Sequence, residues 1–351
     1  MLLRSLLHLS LAEPGTVDLV RSQQELSAAS DLDWQATCVD LERHRLQPLV
    51  FHGVKSHGLL DRLPRAVASQ LLDVYFYSLQ RNLLFFKTLG AVLGPIQAAG
   101  IQPVLWKGVI LADQIYPSMA TRMVGDIDWA IAPDELQTVS HIFEQLGFKQ
   151  QLDLDATDAV YFKNADRVLF DVHYRVRLFE GKEHWSLTQE ITPASSLLPQ
   201  LCCLEPNAML AHLTAHLSGH VAEMGPLLFW VLDFVFLLRR WGDQIVWDRL
   251  DALLPSPENR LVLGRVLRFL QVEFAEPLPP VLAQFAQAHQ PITLEAIVRQ
   301  CRFALWGLPA PKGWLKLAVC RMGMHSSQGN PYPSMEDLWL GMTDAALQGD
   351  R

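Results

Sequence analysis

The chain has 351 residues, enough for two domains or for one large domain with an appendage. Its 29 Lys+Arg against 37 Asp+Glu leave a net charge of −8, which argues against a general nucleic-acid binder, although a local basic pocket stays compatible. Half of the residues are hydrophobic, 19% are charged, and the 21 prolines and 20 glycines are dispersed; this excludes disordered, collagen-like and low-complexity classes.

Residues 5–12 are apolar, but Ser5, His8 and Ser10 interrupt them and Glu13-Pro14 follows, so no secretory leader is expected. Residues 1–99 read as helical, with Leu, Phe and Tyr at three-to-four spacing over 59–93; Pro95 and Gly100 are expected to close that region. Pro103-Val104-Leu105-Trp106 is a short strand-type run, Lys107-Gly108 a sharp junction, and 109–116 a short helix stopped by Pro117. Residues 123–131 read as a second strand. The next helix starts at Pro133-Asp134-Glu135, with acids at the positive end of its dipole, and ends at Gly147. Residues 160–163 and 168–176 read as strands joined by a turn at 164–167.

From residue 206 onward the pattern is helical again, at 207–218, 227–240, 258–274 and 294–305, with proline hinges at 255–257 and 277–280. The apolar stretch 226–238 contains Asp233 and ends at Arg239-Arg240, so it reads as a buried helix and no membrane span is expected. The five cysteines (Cys38, Cys202, Cys203, Cys301 and Cys320) are odd in number and form no CxxC pair, which fits a reducing cytoplasm. Adjacent Cys202-Cys203 read as small apolar packing groups. The outcome is a small α/β unit enclosed by helices.

The chemistry concentrates in Arg122-Met123-Val124-Gly125-Asp126-Ile127-Asp128-Trp129-Ala130-Ile131. Strand alternation puts Asp126 and Asp128 on one face and Ile127, Trp129 and Ile131 on the core face. Two neighbouring carboxylates on an apolar strand repel unless something positive lies between them, and a hard divalent cation such as Mg²⁺ meets that need. In 170–177 the polar set is Asp171, His173, Arg175 and Arg177. If the two strands lie side by side, Asp171 becomes a third carboxylate, and two ions could then clamp an in-line phosphoryl or nucleotidyl transfer. A solvated strand end is the plain alternative for a lone Asp-x-Asp. Against it stand the Lys107-Gly108 junction upstream, where a glycine lets phosphate approach and a lysine adds charge, and the strand carrying Asp171.

In combination, Leu105-Trp106-Lys107-Gly108, Tyr116-Pro117, Arg122, Asp126-Ile127-Asp128 and residues 168–173 resemble the DNA polymerase β-type nucleotidyltransferase superfamily. They are most similar to its bacterial branch of uncharacterised nucleotidyltransferases, which carries Leu-x-Lys-Gly in place of Gly-Ser. The resemblance, over roughly residues 80–240, implies a mixed β-sheet flanked by helices with a helical companion region; with the chain-order reading this gives an α+β fold with a small mixed β-sheet core at 100–180, helical regions at 1–99 and 181–325, and a Gly-, Ser- and Pro-rich, loosely held tail at 326–351. It also implies Mg²⁺, with Mn²⁺ as a substitute, and a nucleoside triphosphate donor such as ATP. Asp126, Asp128 and Asp171 would be metal-binding and catalytic, with Asp171 activating the acceptor. Lys107 and Gly108 would face the triphosphate, and Arg122 would sit near its leaving phosphates. Two departures stand out: Val109 follows Gly108, so no hydroxyl is present to grip phosphate, and Trp129 stands where a smaller aliphatic residue is usual.

His212, His216 and His220 share one helical face. Zinc binding is one reading of that spacing, but Gly219 is expected to end the helix before His220, so packing or lining of the pocket is favoured. The resemblance includes a His-rich helix here, so His212 or His216 would touch nucleotide or acceptor. Asp233, in an apolar helix, needs a partner: His212, His216, or the site itself. His173 would orient Asp171 or contact phosphate. Arg81-Asn82 would border the pocket, and Trp106 reads as core. The expected function is Mg²⁺-dependent transfer of a nucleoside monophosphate to a hydroxyl or phosphate on a small molecule, natural product, peptide or protein. The alternatives are a non-catalytic nucleotide- or partner-binding module and a toxin-type enzyme acting on tRNA or protein, with nucleic acid disfavoured by the net acidity.

Overall fold

The computed structural model describes residues 2–13, 19–151, 159–174, 191–193, 201–224, 227–254 and 256–298. The predicted tail at 326–351, Arg175, Arg177, Cys301, Cys320 and the second half of the predicted 294–305 helix lie outside them.

The chain begins with helices α1 (Leu2–Leu11), α2 (Leu19–Ala28), α3 (Asp31–Arg43), α4 (Gln47–Ser56) and α5 (Arg65–Ala98). Local chemistry sets their ends. Ser30 and Asp33 exchange hydrogen bonds in a capping box that starts α3. Pro48 occupies the first turn of α4, where its missing N–H costs nothing. Pro95 does not close α5 as the sequence suggested. Its fixed φ suits a helix, so α5 continues to Ala98, and Gly100 at φ +80° makes the reversal.

A seven-stranded mixed sheet follows, in the order β3-β4-β5-β2-β1-β7-β6. Its strands are β1 (Val104–Leu105), β2 (Ile127–Ala130), β3 (Lys149–Gln151), β4 (Ala159–Lys163), β5 (Leu169–His173), β6 (Ile191–Pro193) and β7 (Cys202–Leu204). Helix α6 (Gly108–Gln114) links β1 towards β2, and α7 (Leu136–Gln145) links β2 to β3. β2 runs parallel to β5 and antiparallel to β1, and β1 is parallel to β7. β6 and β7 extend the sheet past the expected limit near residue 180. Each is three residues long, too short for an alternation signal, and Pro193 is tolerated because β6 is the sheet edge. Cys203 is buried in β7.

Phe143 on α7 packs against Trp129, Phe148, Phe162 and Phe170, with ring centroids 4.5–5.7 Å apart. Burial of each such phenylalanine contributes about 1.5–3 kcal/mol. This aromatic layer holds one face of the sheet, so Trp129 points into the core and the carboxylates point the other way.

Beyond the sheet lie α8 (Pro206–Met224), α9 (Leu228–Trp241), α10 (Trp247–Leu253), α11 (Pro257–Phe274) and α12 (Pro280–Gln287). Among the described residues, no helix is long and apolar enough to cross a membrane.

Candidate active site

Asp128 and Asp171 are register partners on the parallel neighbours β2 and β5. The pleat therefore sends both side chains to the same face from the same rung. Both are buried, at 1% and 8% exposure. Asp126 lies one residue before β2 and is partly exposed. Its carboxyl is pushed up to about 6, first by the charge of Asp128 and then by burial, with Lys107 opposing. One ligand atom from each of Asp128, Asp171 and His173 lies within 4.8 Å of the other two. His173 Nε2 is 3.1 Å from Asp171 Oδ2, while the buried Oδ1 of Asp171 has no hydrogen-bond partner.

Lys107 sits at the entry to α6 with φ +41°, a conformation that an L-residue adopts at a cost of about 1–3 kcal/mol. That backbone turns its ammonium back towards β2, where Nζ lies 2.6 Å from Asp128 Oδ1. Burial alone would lower the Lys107 pKa, but Asp128, Asp126 and Asp171 together outweigh it and hold the group above its ordinary value. At Gly108 an added Cβ would lie 3.2 Å from the Asp126 carbonyl oxygen and 3.7 Å from Asp128 Oδ2. The glycine thus lets the β1–α6 junction press against the entry to β2.

Arg122 and Asp233 form a buried fork-on-fork pair. Arg122 Nε donates to Oδ1 at 2.7 Å and Nη2 to Oδ2 at 2.8 Å. Tyr116 Oη donates to the same Oδ1 at 2.7 Å, and Arg122 Nη1 donates to the Gly108 carbonyl at 3.2 Å. Burial by itself would lower the Arg122 pKa, but Asp233 drives it upward. The sequence pointed to His212 or His216 as partners of Asp233, or to the site itself; its partners are Arg122 and Tyr116 in place of either histidine, and it lines the site cavity. Asn82 on α5 holds the approach to β2, donating to the carbonyls of Met119 and Arg122 and accepting from the Val124 N–H. Arg81 instead fastens the β4–β5 turn through the carbonyls of Asp166 and Arg167.

The α8 histidines close the other side. His212 is buried against the Trp106 ring, 5.2 Å between centroids, and His173 flanks that ring at the same distance. Burial, with Lys107 second, pushes the pKa of both His212 and His216 down, so both are neutral. α8 runs through Gly219, so His220 stays on the helix and stacks on Trp230 at 5.1 Å, correcting the expected helix end.

These groups bound a cavity of about 290 Å³. Its lining includes Lys107, Gly108, Asp126 and Asp128 from the β1–α6 junction and the entry to β2, Arg122 with its partner Asp233, and His216, His220, Phe229 and Trp230 from α8 and α9. Asp171, His173 and His212 lie outside its lining, although Asp171 is the register partner of Asp128, which lines it. One lining residue that sequence reasoning missed is Arg45, from the α3–α4 turn. No motif marks it; it reaches the site only through tertiary packing.

Two solved structures are similar to part of this chain. The solution structure of the antibiotic-resistance factor ANT(2'')-Ia is 16% identical, with a TM-score of 0.36, covering 49% of this chain and 90% of that one. The crystal structure of ANT(2'')-Ia in complex with adenylyl-2''-tobramycin is 15% identical, with a TM-score of 0.37, covering 48% and 95%. No curated protein matches the chain. A family model described as uncharacterised nucleotidyltransferase matches residues 30–274, which span the α3–α11 helices, the whole sheet and every site residue above. That match covers more than half of the sequence, and the chain accordingly belongs to the uncharacterised nucleotidyltransferase family and is a transferase.

Proposed function

We propose that this protein transfers a nucleoside monophosphate from a nucleoside triphosphate to a hydroxyl or phosphate of an acceptor, releasing pyrophosphate. The observation that carries the reading is the shared rung of Asp128 and Asp171, with Asp128 and Asp126 lining a cavity together with Lys107 and Gly108. The donor set fits a divalent cation: Asp128, Asp171 and His173 bring ligand atoms together, the buried Oδ1 of Asp171 has no hydrogen-bond partner, and Asp126 resists ionising beside Asp128. Asp126, Asp128 and Asp171 would hold Mg²⁺ or Mn²⁺, which when bound neutralises the phosphates and the charge that develops on the leaving oxygen.

The chain's own groups then have separate tasks. Lys107, released from Asp128 by competition, offers a point charge to phosphate. Asp171 accepts the proton of the acceptor hydroxyl, and His173 fixes the orientation of that carboxylate. The bond from acceptor oxygen to α-phosphorus forms as the bond from α-phosphorus to the bridging oxygen breaks, and pyrophosphate leaves with the electron pair. Free thiols at Cys38, Cys202 and Cys203 fit a reducing cytoplasm.

Pyrophosphate release, followed with Mg²⁺ and each nucleoside triphosphate across acceptor pools, tests the reading. Asp128→Asn is expected to abolish release while the fold is retained. Turnover of that variant at the wild-type rate would refute the assignment.

A further inference from the structure

Three cations line the cavity, and two already have carboxylate partners. Lys107 faces Asp128 at 2.6 Å, and Arg122 is spent on Asp233 and the Gly108 carbonyl. The third is Arg45. Its side chain is exposed at the rim, and among the described residues no carboxylate pairs with it. Its guanidinium lies 5.4 Å from the centroid of the Phe229 ring, another lining residue of the cavity.

The turn that presents it is well anchored. Leu46 N–H donates to the Leu41 carbonyl at 2.8 Å and Arg45 N–H to the Glu42 carbonyl at 3.0 Å, closing α3 in a Schellman motif. Arg45 takes the left-handed position of that motif, at φ +54°, where glycine is the usual residue. The neighbouring His44 is fully buried, and its Nδ1 accepts from the Leu228 N–H at 3.2 Å. That bond ties the turn to the start of α9, the helix that carries Phe229, Trp230 and Asp233. The backbone that presents the arginine at the cavity is therefore held on both sides.

We infer that Arg45 binds the phosphates of the donor that leave as pyrophosphate. This rests on the nucleotidyl-transfer reading. A nucleoside triphosphate needs more positive charge than the Lys107–Gly108 junction supplies, because Val109 offers no hydroxyl and Arg122 is committed to Asp233. The planar guanidinium fork suits two phosphate oxygens. Arg45 lines the same cavity as Asp126, Asp128 and Lys107.

Arg45→Gly is the informative variant, because it removes the guanidinium and places the preferred residue in the left-handed turn. The probe is inorganic tripolyphosphate, titrated calorimetrically into the full chain with Mn²⁺ present, alongside Arg45→Lys. Tripolyphosphate affinity is expected to fall tenfold or more in Arg45→Gly and by less in Arg45→Lys. The melting temperature should hold or rise, and Mn²⁺ binding without phosphate, read by electron paramagnetic resonance, should be unchanged. Equal tripolyphosphate affinity in wild type and Arg45→Gly overturns the role of Arg45 alone. A wild-type protein that binds neither tripolyphosphate nor any nucleoside triphosphate overturns both this inference and the reading on which it rests.

Discussion

Replacing Asp233 by asparagine removes one charge from the Arg122 pair and leaves the other in place. The two side chains are 5% and 1% exposed, so the guanidinium loses its counter-charge where water cannot substitute. Breaking a buried pair from one side costs about 3–5 kcal/mol, a large share of the roughly 5–15 kcal/mol by which a domain is stable. Tyr116 can still donate to an asparagine oxygen, so the charge, rather than the phenol bond, sets the magnitude. Urea unfolding, followed by tryptophan fluorescence and circular dichroism together, measures the loss. The apolar triple variant Arg122→Met, Asp233→Leu, Tyr116→Phe removes every member of the cluster and is expected to return to within about 2 kcal/mol of wild type. It should nevertheless lose about 100-fold in kcat/KM, because the Gly108 carbonyl is no longer held by Arg122 and a misplacement of about 1 Å costs that much. A loss below about 1 kcal/mol in Asp233→Asn would refute the claim that this pair holds the site together.

Gly108→Ala should fold, yet lower kcat/KM at least about tenfold, since its Cβ would press on the Asp126 carbonyl and on Asp128; unchanged kinetics would show that the junction has slack. Asp126 titrates near 6 in the fold against 3.8 when free, so the native state holds the proton more tightly and, in chelator, stability falls as pH rises between those values. Asp126→Asn should flatten that slope and raise the metal-free melting temperature at pH 7.5, while weakening Mn²⁺ binding. A lower melting temperature in the variant would mean that Asp126 and Asp128 do not repel.

The carboxylate face was legible because strand alternation is a short-range rule. Asp126, Ile127, Asp128 and Trp129 need only a pleat to divide polar from apolar, and Phe170 with Asp171 repeats the division one strand away. The chain alone could not reveal which carboxylate takes Arg122. That choice depends on α9 crossing the β1–α6 junction, a contact 111 residues distant in sequence. Arg45 was invisible for the same reason. Gly219 misled because glycine in a helix costs only about 1 kcal/mol, which the buried Leu213 and Leu217 on the same helix outweigh. Pro95 misled because a proline near a helix end forfeits a single bond.

Asn82 has a practical consequence. It is wholly buried on α5, and its amide joins three backbone groups of the stretch leading into β2. The leading helices therefore serve as the scaffold's splint. Shortened versions that start at the sheet, the natural choice for expression screening, would give protein with a slack centre, and silence from such fragments would say nothing about the intact polypeptide.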